Sequence, residues 1–197
     1  MLSVWALALT FFIVANPVGT SPTILALLKD CSFDRKRQII FRETIIALLL
    51  ALFFQYFGEF FLSLLKINDY ALIITGGILL FMVALQMLFH KPELAKEKHT
   101  REEPFIVPIA TPLISGPGLM TIIMINARTE NNDLIVTFAI LIAWCGVMSI
   151  LMIAPYLQKI LGMRGLAVLE QVMGMILGLM GMQMMINGGK LFAATLS

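Results

Sequence analysis

Long apolar runs alternate with short polar stretches along most of the chain. Six of these runs are about as long as an α-helix that crosses a bilayer, which takes about 20 residues. The pattern predicts an all-α membrane protein with six transmembrane helices, and the stretches between the runs are too short for a soluble domain. The runs cover residues 2–28, 38–58, 70–89, 104–127, 134–155 and 168–187.

The first apolar run contains a helix-breaking stretch, Asn16-Pro17-Val18-Gly19-Thr20-Ser21-Pro22. Proline lacks a backbone N–H and clashes with the preceding turn, and glycine adds backbone freedom, so this stretch predicts an interrupted helix. The fourth run contains a second such stretch, Thr111-Pro112-Leu113-Ile114-Ser115-Gly116-Pro117-Gly118. Backbone that opens inside a bilayer must face protein or a water-filled cavity. We therefore predict discontinuous first and fourth helices with a binding site at the breaks.

Each break is expected to start a new half-helix. Ser21 would cap one that begins at Pro22, and Ser115 or Gly116 would cap another that begins at Pro117. The two starts would approach the membrane centre from opposite sides, with unpaired N–H groups and positive dipole ends that favour a carboxylate by about 1 kcal/mol each. The candidate substrate-binding residues are Asn16, Pro17, Gly19, Thr20, Ser21, Ser115, Gly116, Gly118 and Thr121.

The chain matches itself when it is shifted by 97 positions, which places Gly77-Ile78-Leu79-Leu80 on Gly174-Met175-Ile176-Leu177 and Gly19 on Gly116. Each unit would contain three spans, an odd number, so the second unit enters the membrane upside down. Inverted repeats of this kind are typical of secondary transporters, whose sites form at midplane between discontinuous helices. We assign residues 1–90 to the first repeat, 91–103 to a cytoplasmic linker and 104–197 to the second, inverted repeat.

Composition and charge narrow the picture further. A hydrophobic content of 59% and a mean hydropathy of +0.93 exclude a soluble domain, and a net charge of +2 gives no reason to expect a nucleic-acid partner. Cys31 and Cys145 lie far apart in the sequence, so we predict neither a disulfide nor a metal site. No Lys or Arg precedes the first span, which we expect to remain in the mature protein.

The basic residues predict the orientation in the membrane. The first, third and fifth loops with their flanks hold eleven Lys and Arg residues, and the opposite side holds three. The positive-inside rule places the odd loops in the cytoplasm and both termini outside. The opposite-side residues are Lys66, Arg128 and Lys190.

Among the charged residues, Glu43 is the candidate proton carrier or gate, because a carboxylate inside a membrane is costly and often functional. The alternative is an interfacial carboxylate near the cytoplasmic end of span two that pairs with Arg42 or Arg37. Gln86 and Gln183, which the offset of 97 relates, are expected to form hydrogen bonds between helices.

Several motifs together resemble the MarC family of inner-membrane proteins. They include the Asn16–Pro22 stretch, Arg42-Glu43, Thr75-Gly76-Gly77-Ile78-Leu79-Leu80-Phe81, the Glu103–Gly118 segment, and Leu169-Glu170 with Met173-Gly174. The resemblance covers essentially the whole chain. It implies a plan similar to that of the amino-acid exporters, and one branch, SnatA, is described as a small neutral amino acid transporter. The family often has Asp where this chain has Asn16, which favours a neutral, hydrogen-bonding role for this residue.

An enzyme is the main rival class, and the residues argue against it. His90 and His99 share one loop, no Asp falls within a span, and no His-Glu-x-x-His motif occurs. We therefore expect an inner-membrane carrier that moves a small neutral amino acid by alternating access, without a cofactor and with H⁺ or Na⁺ as the coupling ion. A channel, or an exporter of another small solute such as a drug, is the alternative, and a homo-oligomer is left open.

Overall fold

A computed structural model of the chain describes residues 3–28, 31–89, 115–130 and 132–195, and all regular structure in these ranges is α-helical. The last helix is interrupted at Gly162, whose φ of 65° and ψ of 177° are not helical. We call its two apolar parts α6a, Asp133–Leu157, and α6b, Gly165–Ala194. The helices are α1 Val4–Ala15, α2 Pro17–Leu27, α3 Phe33–Leu64, α4 Asp69–Phe89, α5 Pro117–Thr129 and α6 Asp133–Ala194.

Five segments of the described chain are long and apolar enough to cross a membrane. They correspond to the first, second, third, fifth and sixth predicted spans, with α1 and α2 together forming the first. The fourth predicted span is represented by α5, because residues 104–114 and the linker 91–103 lie outside the described residues. Many large apolar side chains, such as Trp5, Phe89 and Leu179, are exposed, as a lipid-facing surface requires. The architecture is that of an all-helical membrane protein.

Helices α3 and α6a run antiparallel, since low-numbered residues of one contact high-numbered residues of the other. The rings of Phe33 and Tyr156 meet edge to face at one end. In the middle, Trp144 Nε1 donates to the Thr44 carbonyl at 3.0 Å. At the other end, Gln55 Nε2 donates to the Asp133 carbonyl at 2.9 Å. These cross-helix hydrogen bonds satisfy the donors of Trp144 and Gln55 and fix the register of the pair.

Helices α4 and α6b also run antiparallel, and glycines bring their backbones together. A Cβ on Gly77 would lie 2.7 Å from the Gly181 carbonyl oxygen, and a Cβ on Gly181 would lie 2.8 Å from that of Gly77. Further along, Gly174 packs on the carbonyl of Ala84. Small residues at such crossings allow close helix packing in a membrane.

Helices α1, α2 and α5 fill the space between these pairs. Phe11 and Leu7 of α1 are fully buried in the same core cluster as Ile140 and Val147 of α6a. Helix α5 packs between α3 and α4, with Met124 against Gly58 and Thr121 against Gly76. The two short helices α2 and α5 are therefore held inside the bundle by the longer ones.

In the part of the chain that the structure describes, the expected hydrogen bonds between helices at the two related glutamines are not observed. Gln183 is exposed, and its Nε2 donates at 3.0 Å to Asn187 Oδ1, one turn further along the same helix. Gln86 is exposed on the surface of α4. The prediction was wrong for Gln183, because both positions lie on outer helix faces, where a partner on the same helix is within reach.

Candidate functional site

Asn16 separates α1 from α2. Its φ of 50° and ψ of 51° are left-handed, a conformation that Asn tolerates better than most residues with a side chain. Its Oδ1 accepts from the Gly19 N–H at 3.2 Å, and its carbonyl accepts from both the N–H and the hydroxyl of Thr20, each at 3.0 Å. With Pro17 at the first helical position, Asn16 is the N-cap of α2.

The predicted start at Ser21 and Pro22 is therefore wrong, because both residues lie inside α2. Proline at position 22 removes the N–H that would bond to the Val18 carbonyl, four residues earlier. The Ser21 hydroxyl donates to that same carbonyl at 2.7 Å. This side-chain bond replaces the missing backbone donor, so the helix continues through Pro22.

The second helix start has the predicted form. Gly116 is the N-cap of α5 and Pro117 is its first residue. No side chain caps this end, so the N–H groups of Gly118 and Leu119 have no capping partner in the described part of the chain. Within the described residues, helix α5 therefore presents uncapped donors and the positive end of its dipole, whereas Asn16 caps the start of α2.

Ser115 anchors this second start to a neighbouring helix. It is buried, and its hydroxyl donates to the carbonyl of Ala47 on α3 at 2.9 Å. Glu43 lies one turn before Ala47 on the same buried face of α3. The start of α5 is thus tied to the part of α3 that carries the buried carboxylate.

Both helix starts line one cavity. Its volume is about 30 Å³, room for about one or two water molecules and too little for an amino acid. None of its described lining residues carries a formal charge. As far as its described lining shows, the cavity is narrow and uncharged, and the uncapped N–H groups of the α5 start border it. The described lining residues are Val14, Ala15, Asn16, Thr20, Leu80, Val83, Gly116, Pro117, Gly118, Leu119 and Leu177.

Four of the nine candidate binding residues line this cavity, namely Asn16, Thr20, Gly116 and Gly118. The other five have structural contacts around it. Pro17 starts α2, and Thr121 donates from its hydroxyl to the Pro117 carbonyl at 2.9 Å. Gly19 leaves no room for a side chain beside Asn16 and Met87. Ser21 and Ser115 each donate to a backbone carbonyl, as described above.

Sequence reasoning did not single out the apolar wall of the cavity. Leu80 and Leu177 both line the cavity. The only sequence signal for them is the repeat offset of 97, which relates the two positions. Met87 was also missed. Its sulfur accepts from Asn16 Nδ2 at 3.2 Å, a weak bond that leaves the buried amide free to exchange its acceptor for a better one.

Glu43 is completely buried and paired with its neighbour. Its Oε1 accepts from Arg42 Nε at 3.0 Å and lies 2.9 Å from Arg42 Nη2, which is the pairing that the alternative interpretation predicted. Its Oε2 is buried without a hydrogen-bond partner in the described part of the chain. Among the described residues, Glu43 does not line the cavity, and no group of three or more His, Cys, Asp or Glu could hold a metal ion.

Comparisons with known proteins cover nearly the whole chain. Residues 1–192 match the MarC family of integral membrane proteins. The UPF0056 inner membrane protein YhgN of Escherichia coli K12 is 35% identical over 92% of this chain and 93% of its own length. A UPF0056 membrane protein of Chlamydia trachomatis is 35% identical over 94% of this chain and 92% of its own length. No solved structure matches the chain.

Proposed function

The chain belongs to the MarC family of integral membrane proteins, and we propose that it is an inner-membrane secondary transporter of small neutral amino acids. One observation carries the proposal: the starts of α2 and α5 line the same cavity, inside a bundle of apolar helices. An uncapped helix start is a ready site for an anion, and a carboxylate is the anion that every amino acid carries.

The lining of the cavity supports a small and neutral substrate. The carboxylate accepts from the N–H groups of Gly118 and Leu119 at the start of α5. The ammonium group then turns toward the oxygens of Asn16 and Thr20, which also line the cavity. The remaining walls are formed by aliphatic side chains such as Val83 and Leu177, which suit a hydrogen or methyl side chain and leave a charged one unpaired.

The small volume of the cavity supports a carrier rather than an open channel. At about 30 Å³, it has to expand before an amino acid enters. A bundle that closes around the empty site and opens to one side at a time performs alternating access. Helices α2 and α5 are the moving parts in this proposal, since their starts form two of the walls.

The packing of α4 against α6b supports the inverted repeat. The offset of 97 relates Gly77 to Gly174 and Ala84 to Gly181. The contact between Gly77 and Gly181 is therefore equivalent, under the repeat, to the contact between Gly174 and Ala84. Leu80 and Leu177 lie midway between these contacts and beside the cavity. In this proposal an approximate two-fold axis at this point relates the halves. Helices α2 and α5 begin 100 residues apart, which is three positions more than the offset of 97.

Glu43 is the proposed site of proton coupling. It is a buried carboxylate with one paired and one unpaired oxygen, one turn from the Ala47–Ser115 hydrogen bond that holds the start of α5. Taking up a proton would weaken its bond to Arg42 and alter the packing of this part of α3, to which Ser115 ties the start of α5. The alternative coupling ion in this proposal is sodium, held by backbone carbonyls at the two helix breaks.

The test is exchange of radiolabelled glycine and alanine by the purified protein in proteoliposomes, with pH and sodium gradients imposed separately. We expect exchange that unlabelled small neutral amino acids compete away, and accumulation driven by one of the two gradients. Absence of exchange with every amino acid tested would overturn the proposal in favour of a channel or a carrier for another solute.

A pair of glycine substitutions tests the position of the site. A Cβ on Gly118 would already lie 3.2 Å from Leu80, so Gly118→Leu fills the cavity, whereas Gly189 faces open space and Gly189→Leu is the matched control. Exchange should be lost in the first variant and retained in the second, with both proteins still in the membrane. Normal exchange by Gly118→Leu would place the site elsewhere.

A further inference from the structure

A second cavity, of about 160 Å³, lies at the end of the bundle where α3 ends and α4 begins. The distribution of basic residues predicts that this end faces outside. The cavity is formed by the same three helices, α4, α5 and α6b, that form the apolar wall and the uncapped start beside the central cavity. Its described lining residues are Asp69, Ile73, Ile125, Arg128, Thr129 and Leu191.

One side of this outer cavity carries two opposite charges. Arg128 of α5 forms an ion pair with Asp69, the first residue of α4, and both side chains remain partly exposed. Glu59 of α3 lies 3.7 Å from Arg128 Nε, outside the cavity lining. A guanidinium has five N–H donors in a planar fork, so Asp69 at Nη1 and Glu59 near Nε leave donors for a further carboxylate.

The other side of the outer cavity is apolar, with Ile73, Ile125 and Leu191. A cation, an anion and an aliphatic wall around one space form the chemical complement of a small zwitterion with an apolar side chain. The size also fits, because a cavity of about 150 Å³ holds a benzene molecule, which has as many non-hydrogen atoms as alanine.

We propose that the outer cavity is an entry site that binds a small neutral amino acid before it reaches the central cavity. The ligand carboxylate binds the Arg128 guanidinium, and its ammonium binds the Asp69 carboxylate, which opens the present ion pair. This proposal rests on the proposed transport function and adds a second, outer binding site to it.

The path between the two cavities runs along the facing helices. Ile73 and Leu80 on α4 are about 10 Å apart along the helix axis, and so are Ile125 and Leu119 on α5. Between these levels the Thr121 side chain packs directly on Gly76 and closes the path. Separation of α5 from α4 at this contact would connect the entry site to the centre.

The transport test compares three variants in proteoliposomes. We expect Arg128→Gln and Asp69→Asn to raise the KM for alanine supplied at the α3–α4 end about tenfold, with the maximal rate retained, since each removes one charged partner of the ligand. Glu59→Gln is the matched control, because Glu59 contacts Arg128 without lining the cavity, and its KM should stay unchanged. An unchanged KM in the first two variants, or an equal rise in the control, would contradict the entry site.

A binding measurement separates the entry site from the proposed transport function. The Gly118→Leu protein, with its central cavity filled, should still bind radiolabelled alanine, and adding Asp69→Asn to it should abolish this binding. Gel filtration checks that both proteins are folded. Loss of all binding in Gly118→Leu would overturn the entry site even if the wild type transports, and retained binding would support it even if no exchange is found.

Discussion

Asn16 combines three contacts at the break of the first membrane segment. Its Oδ1 caps α2, its carbonyl receives two bonds from Thr20, and its Nδ2 reaches the sulfur of Met87. Its backbone is left-handed, which most residues with a side chain avoid at a cost of about 1–2 kcal/mol. Asparagine therefore supplies a side-chain cap, which alanine and glycine lack, and it tolerates the left-handed backbone better than alanine does.

Substitutions of Asn16 should separate its two structural roles. Asn16→Ala loses the cap and strains the left-handed backbone, so we expect the free energy of unfolding to fall by about 2 kcal/mol. Asn16→Gly loses the cap but not the backbone conformation, so the loss should stay below about 1 kcal/mol. Thermal unfolding in detergent measures both. Equal losses would mean that the left-handed conformation is not what the asparagine supplies.

Glu43→Gln tests the proposed proton-coupling role by replacing one carboxylate oxygen with an amide NH₂ group. Glutamine keeps the shape of the side chain but does not titrate, so the pH dependence of alanine exchange should become flat while the protein remains folded. Glu59→Gln changes an exposed carboxylate on the same helix and serves as the control, with an unaltered pH profile expected. A Glu43→Gln profile like that of the wild type would remove Glu43 from the coupling step.

The position of the first helix start shows where reasoning from residues alone reaches its limit. Pro17 and Pro22 are both acceptable first residues of a helix, and each follows a residue that can act as an N-cap. The choice depends on whether the carbonyl left open by Pro22 finds another donor, and Ser21 supplies it. The second break offers the same choice between Pro112 and Pro117, and there the start was predicted correctly at the second proline.

At the scale of helices, the crossing of α4 and α6b is held by backbone against backbone. Gly77→Ala would place its Cβ 2.7 Å from the Gly181 carbonyl, so the helices must separate and we expect a loss of about 1–3 kcal/mol. Gly178→Ala is the control, because its Cβ would lie 3.5 Å from Ala84 Cβ, an ordinary contact. The free energy of unfolding of both variants is measured in detergent. Equal stability of the two variants would show that the α4–α6b crossing can accommodate a Cβ at Gly77.

The same crossing explains why the cavity wall could not be predicted. Leucine occurs all along these helices, so Leu80 and Leu177 carry no chemical mark of their own. They line the cavity because the glycine contacts fix how α4 and α6b are rotated. The polar and glycine residues at the breaks were accessible to sequence reasoning, whereas the packing that encloses the site depends on contacts between distant segments.

For the whole molecule, the apolar runs predicted the spanning helices well, because about 20 apolar residues leave the backbone no alternative in lipid. The orientation is a prediction from charge. It can be tested in a background without Cys31 and Cys145, with one new cysteine at an exposed position. We expect a membrane-impermeant maleimide to label Asn68→Cys in intact cells, and Asp34→Cys only after lysis. The reverse pattern would invert the assigned topology.

The narrowness of the central cavity also determines how fast a ligand can reach it. If the space of about 30 Å³ must widen before an amino acid fits, opening precedes binding, and the observed association rate levels off as concentration rises instead of increasing without limit. The apparent affinity is reduced by the fraction of molecules that are open. A substitution that favours the open conformation without contacting the ligand would then raise the apparent affinity. The same substitution would lower the stability of the closed bundle, so affinity and stability would change in opposite directions.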